Sequence, residues 1–205
     1  MTTGGSVLLL VLLLLPMVGA LVVAPLGQNA RLAKFVAFGF SIASLVLTVI
    51  TWFAYSVSTA EEGTRFQLEL SVPWIPAFGT SFALGVDGIA LVMLALIAIL
   101  VPIVMLFSWE EKLPEGRTPA GFYALILATQ SLLVGVFAAT DVFLFYVFFE
   151  AMLVPMYFMI GRFGGPRRQY AAVKFFLYSL LGGLIMLASV IGLFVVSGEE
   201  LGQGT

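Results

Sequence analysis

The chain has 205 residues, of which 61% are hydrophobic and 10% charged, with a net charge of −2 and a mean hydropathy of +1.14. Soluble domains carry about a quarter charged residues, so lipid must be the solvent for much of this surface. Nine dispersed Lys and Arg residues exclude a nucleic-acid face, and the absence of Cys and His excludes disulfides, thiol chemistry, Fe–S ligation, the usual zinc sites and His-ligated haem.

A membrane-spanning helix needs roughly 20 mainly apolar residues. The first such run is Val7–Val23. Its leader, Met1–Ser6, has no Lys or Arg, so the basic start of a cleaved signal peptide is missing and the run reads as a retained span. Phe35–Val57 is the second span. The longest connection, Ser58–Gly85, follows, and within it Arg65–Val72 alternates polar and apolar residues, the period of a half-buried strand. Pro73, Trp74, Pro76 and Phe78 suit the headgroup level. The expectation is a loop lying on the membrane surface; a short hairpin touching a neighbouring subunit is the other reading.

Asp87 stands just before the third span, Ile89–Phe107, where it can cap the helix or meet another chain. The fourth span, Phe122–Ala139, carries Gln130 near its middle, suited to hydrogen bonding between helices or to a wire of water. Only Thr140-Asp141 separates it from the fifth, Val142–Ile160, so these two helices must be antiparallel neighbours. The fifth stops at the turn Gly161-Arg162-Phe163-Gly164-Gly165-Pro166. The sixth, Phe175–Val196, has Lys174 at its start and contains Gly182-Gly183, a pair that permits close helix approach. The fold class is therefore all-α, a polytopic membrane protein with six transmembrane helices.

Basic residues set orientation. Arg31, Lys34, Lys112, Arg117, Arg162, Arg167, Arg168 and Lys174 fall after spans one, three and five, against Arg65 alone on the other side. This bias predicts an N-terminus outside the cell.

Glu150 is the one charged residue within the six spans. At 1.5 Å per residue it lies roughly 14–17 Å from either interface, close to the midplane. A centred acid costs about 2.5–3.5 kcal/mol on insertion scales, and Glu is too short to snorkel. A polar partner, a water-filled cavity or protonation must compensate, and such a group is suited to relaying protons; a neutral Glu bonding two helices together is the plainer reading. Tyr146 and Tyr157 share roughly its helix face, and Pro155 should free the carbonyl of Ala151 beside it. Lys174 reads as a headgroup anchor or as part of a proton path, since Lys174, Tyr178, Ile185 and Ser189 align on one helix face. Arg162 reads as an anchor at a helix C-terminus.

Two stretches go further. Phe145-Tyr146-Val147-Phe148-Phe149-Glu150-Ala151-Met152-Leu153-Val154-Pro155-Met156-Tyr157 resembles span five of subunit M of bacterial NADH:quinone oxidoreductase, respiratory complex I, whose mitochondrial counterpart is subunit 4. Leu84-Gly85-Val86-Asp87-Gly88-Ile89-Ala90-Leu91 resembles the start of that family's third span, and Tyr170–Tyr178 is also similar. The resemblance implies an antiporter-like, Mrp-related membrane-arm subunit in which the glutamate at Glu150 pairs with a lysine on a seventh span. Quinone reduction elsewhere in the complex would then drive proton transfer through midplane charges. Residues 1–118 would supply three N-terminal helices with the outer loop 58–85, and residues 119–205 the first three helices of an antiporter-like repeat. Spans beyond the sixth, including the lysine partner and the inverted second repeat, are not in this sequence, which implies a piece of a longer protein or a split gene product.

The site residues implied are Glu150 and Lys174 for proton translocation, with Tyr146, Tyr157, Gln130 and Tyr178 as a polar pathway, and no metal or cofactor ligand in this chain. NADH, FMN, Fe–S clusters and quinone would belong to other subunits. The enzyme is then the assembled oxidoreductase, its partners are other membrane-arm subunits and the lipid, and its home is a bacterial plasma membrane. A Mrp-type cation/proton antiporter or membrane-bound hydrogenase subunit shares the midplane glutamate, and a truncated scaffold without transport is a third reading.

Overall fold

The computed structural model describes residues 3–55, 66–75, 79–111, 113–114 and 116–201. Among the described residues six α-helices follow in chain order: α1 (Thr3–Val23), α2 (Ala30–Ala54), α3 (Gly88–Phe107), α4 (Pro119–Ala138), α5 (Val142–Phe163) and α6 (Arg168–Leu201). Two strands, β1 (Gln67–Ile75) and β2 (Thr80–Val86), lie between α2 and α3. All six helices are long and apolar enough to cross a membrane, and the protein is a multi-pass membrane protein.

The helix starts follow from local chemistry. Asn29, Asp87, Thr118 and Asp141 each accept a hydrogen bond from an amide in the first turn of α2, α3, α4 and α5 respectively, satisfying donors that a helix leaves open. Asp87 is thus an N-cap, its Oδ1 2.7 Å from the Ala90 amide. Several spans run past their expected limits because amphipathic turns extend the helix beyond its apolar stretch. α2 begins at Ala30 rather than Phe35, α5 continues to Phe163 before Gly164 caps it, and α6 begins at Arg168, before Lys174.

The connection after α2 corrects the expectation of a loop on the membrane surface. Its described part is an antiparallel hairpin, pairing Leu70 with Leu84 and Val72 with Phe82. Arg65, Pro76 and Phe78 lie outside the described residues, as does Lys112. The hairpin packs on this chain's own helices, with Leu84 and Val86 buried among Leu9, Leu12, Leu91, Leu94, Val134 and Leu144. The free edge of β2 is closed by the α4–α5 link: Leu84 bridges Ala139, and the Thr140 amide donates to the Ala83 carbonyl at 3.0 Å. A lipid-facing sheet edge would leave backbone groups unsatisfied, so this closure makes the hairpin tolerable at a membrane boundary. Gly85 makes the approach close, since a Cβ there would stand 2.9 Å from Thr140 Cγ2 and something would have to shift.

At the opposite end of the bundle, Trp109 contacts Phe35, Phe38 and Tyr123 edge to face, and Phe122 links Tyr123 to Phe163. The Lys34 ammonium donates to the Trp109 carbonyl and lies over its ring. This cluster joins the ends of α2, α3, α4 and α5. Arg31, Arg117, Arg162, Arg167, Arg168 and Lys174 belong to the same end of the bundle, and among the described residues no Lys or Arg lies at the hairpin end.

Candidate functional site around Glu150

Glu150 sits on α5, eight residues after its first residue and thirteen before its last. At 1.5 Å per residue it is about 12 Å from the hairpin end of the helix and about 20 Å from the other. The later end of α5 thus moves it a few ångströms off the centre, still well inside the apolar span.

The side chain is half-buried, and its Oε1 is buried without a hydrogen-bond partner. The carboxyl group rests against α6 at Gly183: a Cβ built there would collide with Oε1 and stand 2.8 Å from Cδ and 3.5 Å from Oε2. The acid therefore occupies space that any side chain at residue 183 would fill. Nothing in the sequence beyond the Gly182-Gly183 pair marked this position, and the pair read as a packing device. Pro155, buried further along α5, has no amide to give to the Ala151 carbonyl beside the acid.

Tyr146 lies one turn before Glu150 and is half-buried. Tyr157, also half-buried, meets Phe158 and Phe176 edge to face at 5.5 and 5.6 Å between ring centres, so its ring belongs to an aromatic contact between α5 and α6. Gln130 is 1% exposed in α4, and its Oε1 has no hydrogen-bond partner. The bond across helices expected of it is made instead by its neighbour, Ser131 Oγ donating to the Leu13 carbonyl of α1 at 2.7 Å.

Lys174 and Tyr178 are not brought to Glu150. Both are exposed, and the Lys174 ammonium lies 5.8 Å from the centre of the Tyr178 ring and 6.0 Å from that of Tyr170, a cation–π arrangement at helical spacing. The reason is angular. Lys174 precedes Gly183 by nine residues, about two and a half turns, which puts it on the far side of α6 from the glycine that receives the acid. The alignment of Lys174, Tyr178, Ile185 and Ser189 holds, and all four are exposed. That aligned face points away from α5. Among the described residues there is also no group of three His, Cys, Asp or Glu side chains that could hold a metal ion.

Glu150 and Gly183 lie in a stretch that matches a known family. Residues 139–202 match the family described as NADH:quinone oxidoreductase/Mrp antiporter, transmembrane. The chain is 40% identical to NADH-quinone oxidoreductase subunit M of Mycobacterium tuberculosis, an alignment over 92% of this chain and 38% of that protein. It is 37% identical to F(420)H(2) dehydrogenase subunit M of Methanosarcina mazei, over 95% of this chain and 38% of that protein. In three dimensions it superposes on a chain of respiratory complex I from Thermus thermophilus with a TM-score of 0.76 and 30% identity, covering 93% of this chain and 36% of the other. The chain therefore spans less than two-fifths of the length of these relatives. Within the matched residues 139–202 fall Glu150, Gly183 against which it rests, and the Gly161 turn.

Proposed function

We propose that this chain serves in a proton-translocating membrane-arm subunit of an NADH:quinone oxidoreductase, with Glu150 as a proton-carrying group. The observation that carries the reading is the buried, unpartnered Oε1 of Glu150 in the interior of an apolar span. An acid placed there at a cost of about 2.5–3.5 kcal/mol, with no bond to offset it, is held for use and not for packing. Proton occupancy of such a group responds to any charge that approaches, which is the requirement for coupling a distant reaction to proton movement. The approaching charge comes from outside the residues described, because Lys174 faces away. Lys174 and Tyr178 then act as a membrane-surface anchor, while Tyr146, Tyr157 and Gln130 line the polar approach to the acid.

In this reading the chemistry of NADH, FMN, Fe–S clusters and quinone belongs to other subunits, and this chain moves protons only. Residues 119–205 contribute the first helices of an antiporter-like repeat. The basic end of the bundle faces the cytoplasm of a bacterial cell and the hairpin end faces outward, as the charge asymmetry favours. The family description that includes Mrp antiporters keeps one other reading in view, a cation/proton antiporter subunit.

The test is Glu150→Gln in the assembled complex, in inverted membrane vesicles. NADH-driven proton uptake should fall at least tenfold with the complex assembled at normal levels. Normal uptake in an assembled variant overturns the role of Glu150. Proton uptake driven by a sodium gradient without NADH would favour the antiporter instead.

A further inference from the structure

We propose that Gly183 is a positioning residue for Glu150: its missing side chain forms the socket that holds the carboxylate between α5 and α6. The inference rests on the reading of Glu150 as the proton-carrying group.

Glycines in membrane helices usually serve close packing of one backbone on another. The contacts here separate that role from a different one. Gly161 of α5 meets α6 in the ordinary way, since a Cβ at Gly161 would lie 3.3 Å from the Ala172 Cβ, an apolar contact between small groups. Gly182 and Gly192, on the same helix as Gly183, have nothing within 4 Å of an added Cβ. At Gly183 the three nearest atoms are Oε1, Cδ and Oε2 of Glu150. The space left by this glycine is therefore filled by the acid itself.

The register of the two helices makes the meeting inevitable. Glu150 lies eleven residues before Gly161 on α5, and Gly183 lies eleven residues after Ala172 on α6. Eleven residues is about three full turns and roughly 16 Å, so on antiparallel neighbours both pairs fall on one line of contact. The small pair Gly161 and Ala172 near the turn fixes the separation of the helices. Three turns away, that separation leaves room for a carboxyl group and no room for a side chain opposite it. The obstacle to a methyl group is the far end of a flexible side chain. A substitution at residue 183 would therefore displace the carboxylate before it displaced the helices.

The experiment uses the assembled complex in native membranes, reading protons moved per NADH oxidised. Gly183→Ala should lower that ratio at least fivefold, while Gly182→Ala leaves it unchanged. Combining Gly183→Ala with Glu150→Asp should recover at least half of the loss relative to Gly183→Ala alone, because the shorter acid withdraws from the added methyl. An unchanged ratio in Gly183→Ala overturns the inference, as does equal loss in Gly182→Ala or a double variant no better than Gly183→Ala. If Gly183→Ala prevents assembly, Gly183→Ala with Glu150→Ala decides the matter. Restored assembly assigns the collision to the carboxylate, and continued failure assigns Gly183 to backbone packing and overturns the proposal. Normal pumping by Glu150→Gln would defeat the underlying reading itself; a collapse in Glu150→Gln with normal pumping in Gly183→Ala would defeat this inference alone.

Discussion

The first four helices with the hairpin and the last two helices solve the membrane problem in opposite ways. Within the span of α4, 56% of residues are buried inside the protein, against 6% in α6. The small hydroxyls buried in the first region close on their own helix, while Gln130 Oε1 is left without a partner. Ser41, Ser44, Thr48 and Thr51 lie buried along one face of α2, and each hydroxyl donates to a carbonyl of its own helix at 2.8–3.0 Å. In the α5–α6 pair the polar group that matters is left open, and the face of α6 away from α5 is exposed along its length. A well-buried bundle supplies rigidity; a loosely enclosed pair carries an acid whose proton can respond to something approaching. Phe148 ties the two regions together, since its ring fills the space beside Gly135 of α4, where a Cβ would stand 2.5 Å from Cδ1.

Exchanging the two characters should break this contrast most severely. Leu94, 1% exposed in α3, lies in the bundle core. Leu94→Glu places an acid in a hydrophobic core cluster and removes a well-packed side chain, costing at least about 3 kcal/mol. The expected outcome is loss of folded protein from membranes. Glu150→Leu should do the reverse in the isolated chain, raising its stability to denaturant in detergent by roughly 1–3 kcal/mol, since an unpartnered acid is removed from an apolar span. A destabilised Glu150→Leu chain would mean that the acid is structural and that the two regions do not differ as described.

A smaller effect is expected at the seam. Asp141 Oδ1 accepts from the Phe143 and Leu144 amides at 2.8 and 3.1 Å, and Oδ2 accepts from the Ser81 amide of β2 at 2.9 Å. One carboxylate thus starts α5 and latches the hairpin to it. Asp141→Ala should cost about 0.5–2 kcal/mol for the cap and should speed hydrogen exchange at Ser81 more than at Leu84, whose strand pairing remains. Asp141→Asn should keep most of the cap and lose part of the latch. Equal exchange at Ser81 in both variants and the parent would remove the latch from the account.

What the sequence made legible depended on whether the signal was local. Six spans stand out because hydropathy over roughly 20 residues is a local quantity, and Glu150 stands out because it is the one charge inside the apolar runs that mark them. The alternation from Arg65 to Val72 marked a strand, but its partner and its docking site come from contacts far along the chain, so the hairpin read first as a surface loop. Lys174 shows the same limit in angle. Helical spacing placed it correctly on one face with Tyr178, Ile185 and Ser189, yet spacing along one helix has no reference direction until the neighbour is known. Only the contact between Gly183 and Glu150 reveals that this face looks away from the acid. Asp141 was read as part of a short connection because its third hydrogen bond reaches back sixty residues.

The smallest effect should come from a short cross-helix side-chain bond in the bundle core, Ser131 Oγ to the Leu13 carbonyl at 2.7 Å. Bonds of this kind in membrane proteins average about 0.6 kcal/mol and reach about 1.7, because the unfolded helices also find partners in lipid. Ser131→Ala should therefore lower stability by about 0.6–1.7 kcal/mol, read as a shift in the detergent denaturation midpoint. Thr48→Val should cost less, since its hydroxyl serves only the carbonyl of Ser44 in its own helix and its apolar volume is retained. The ordering of the two matters more than either value. If Thr48→Val proves the costlier, the bundle is held by the packing of its small-residue face on α2, and the bond between α1 and α4 is incidental. If Ser131→Ala is the costlier, polar closure between helices contributes to the rigidity against which α5 and its acid are mounted.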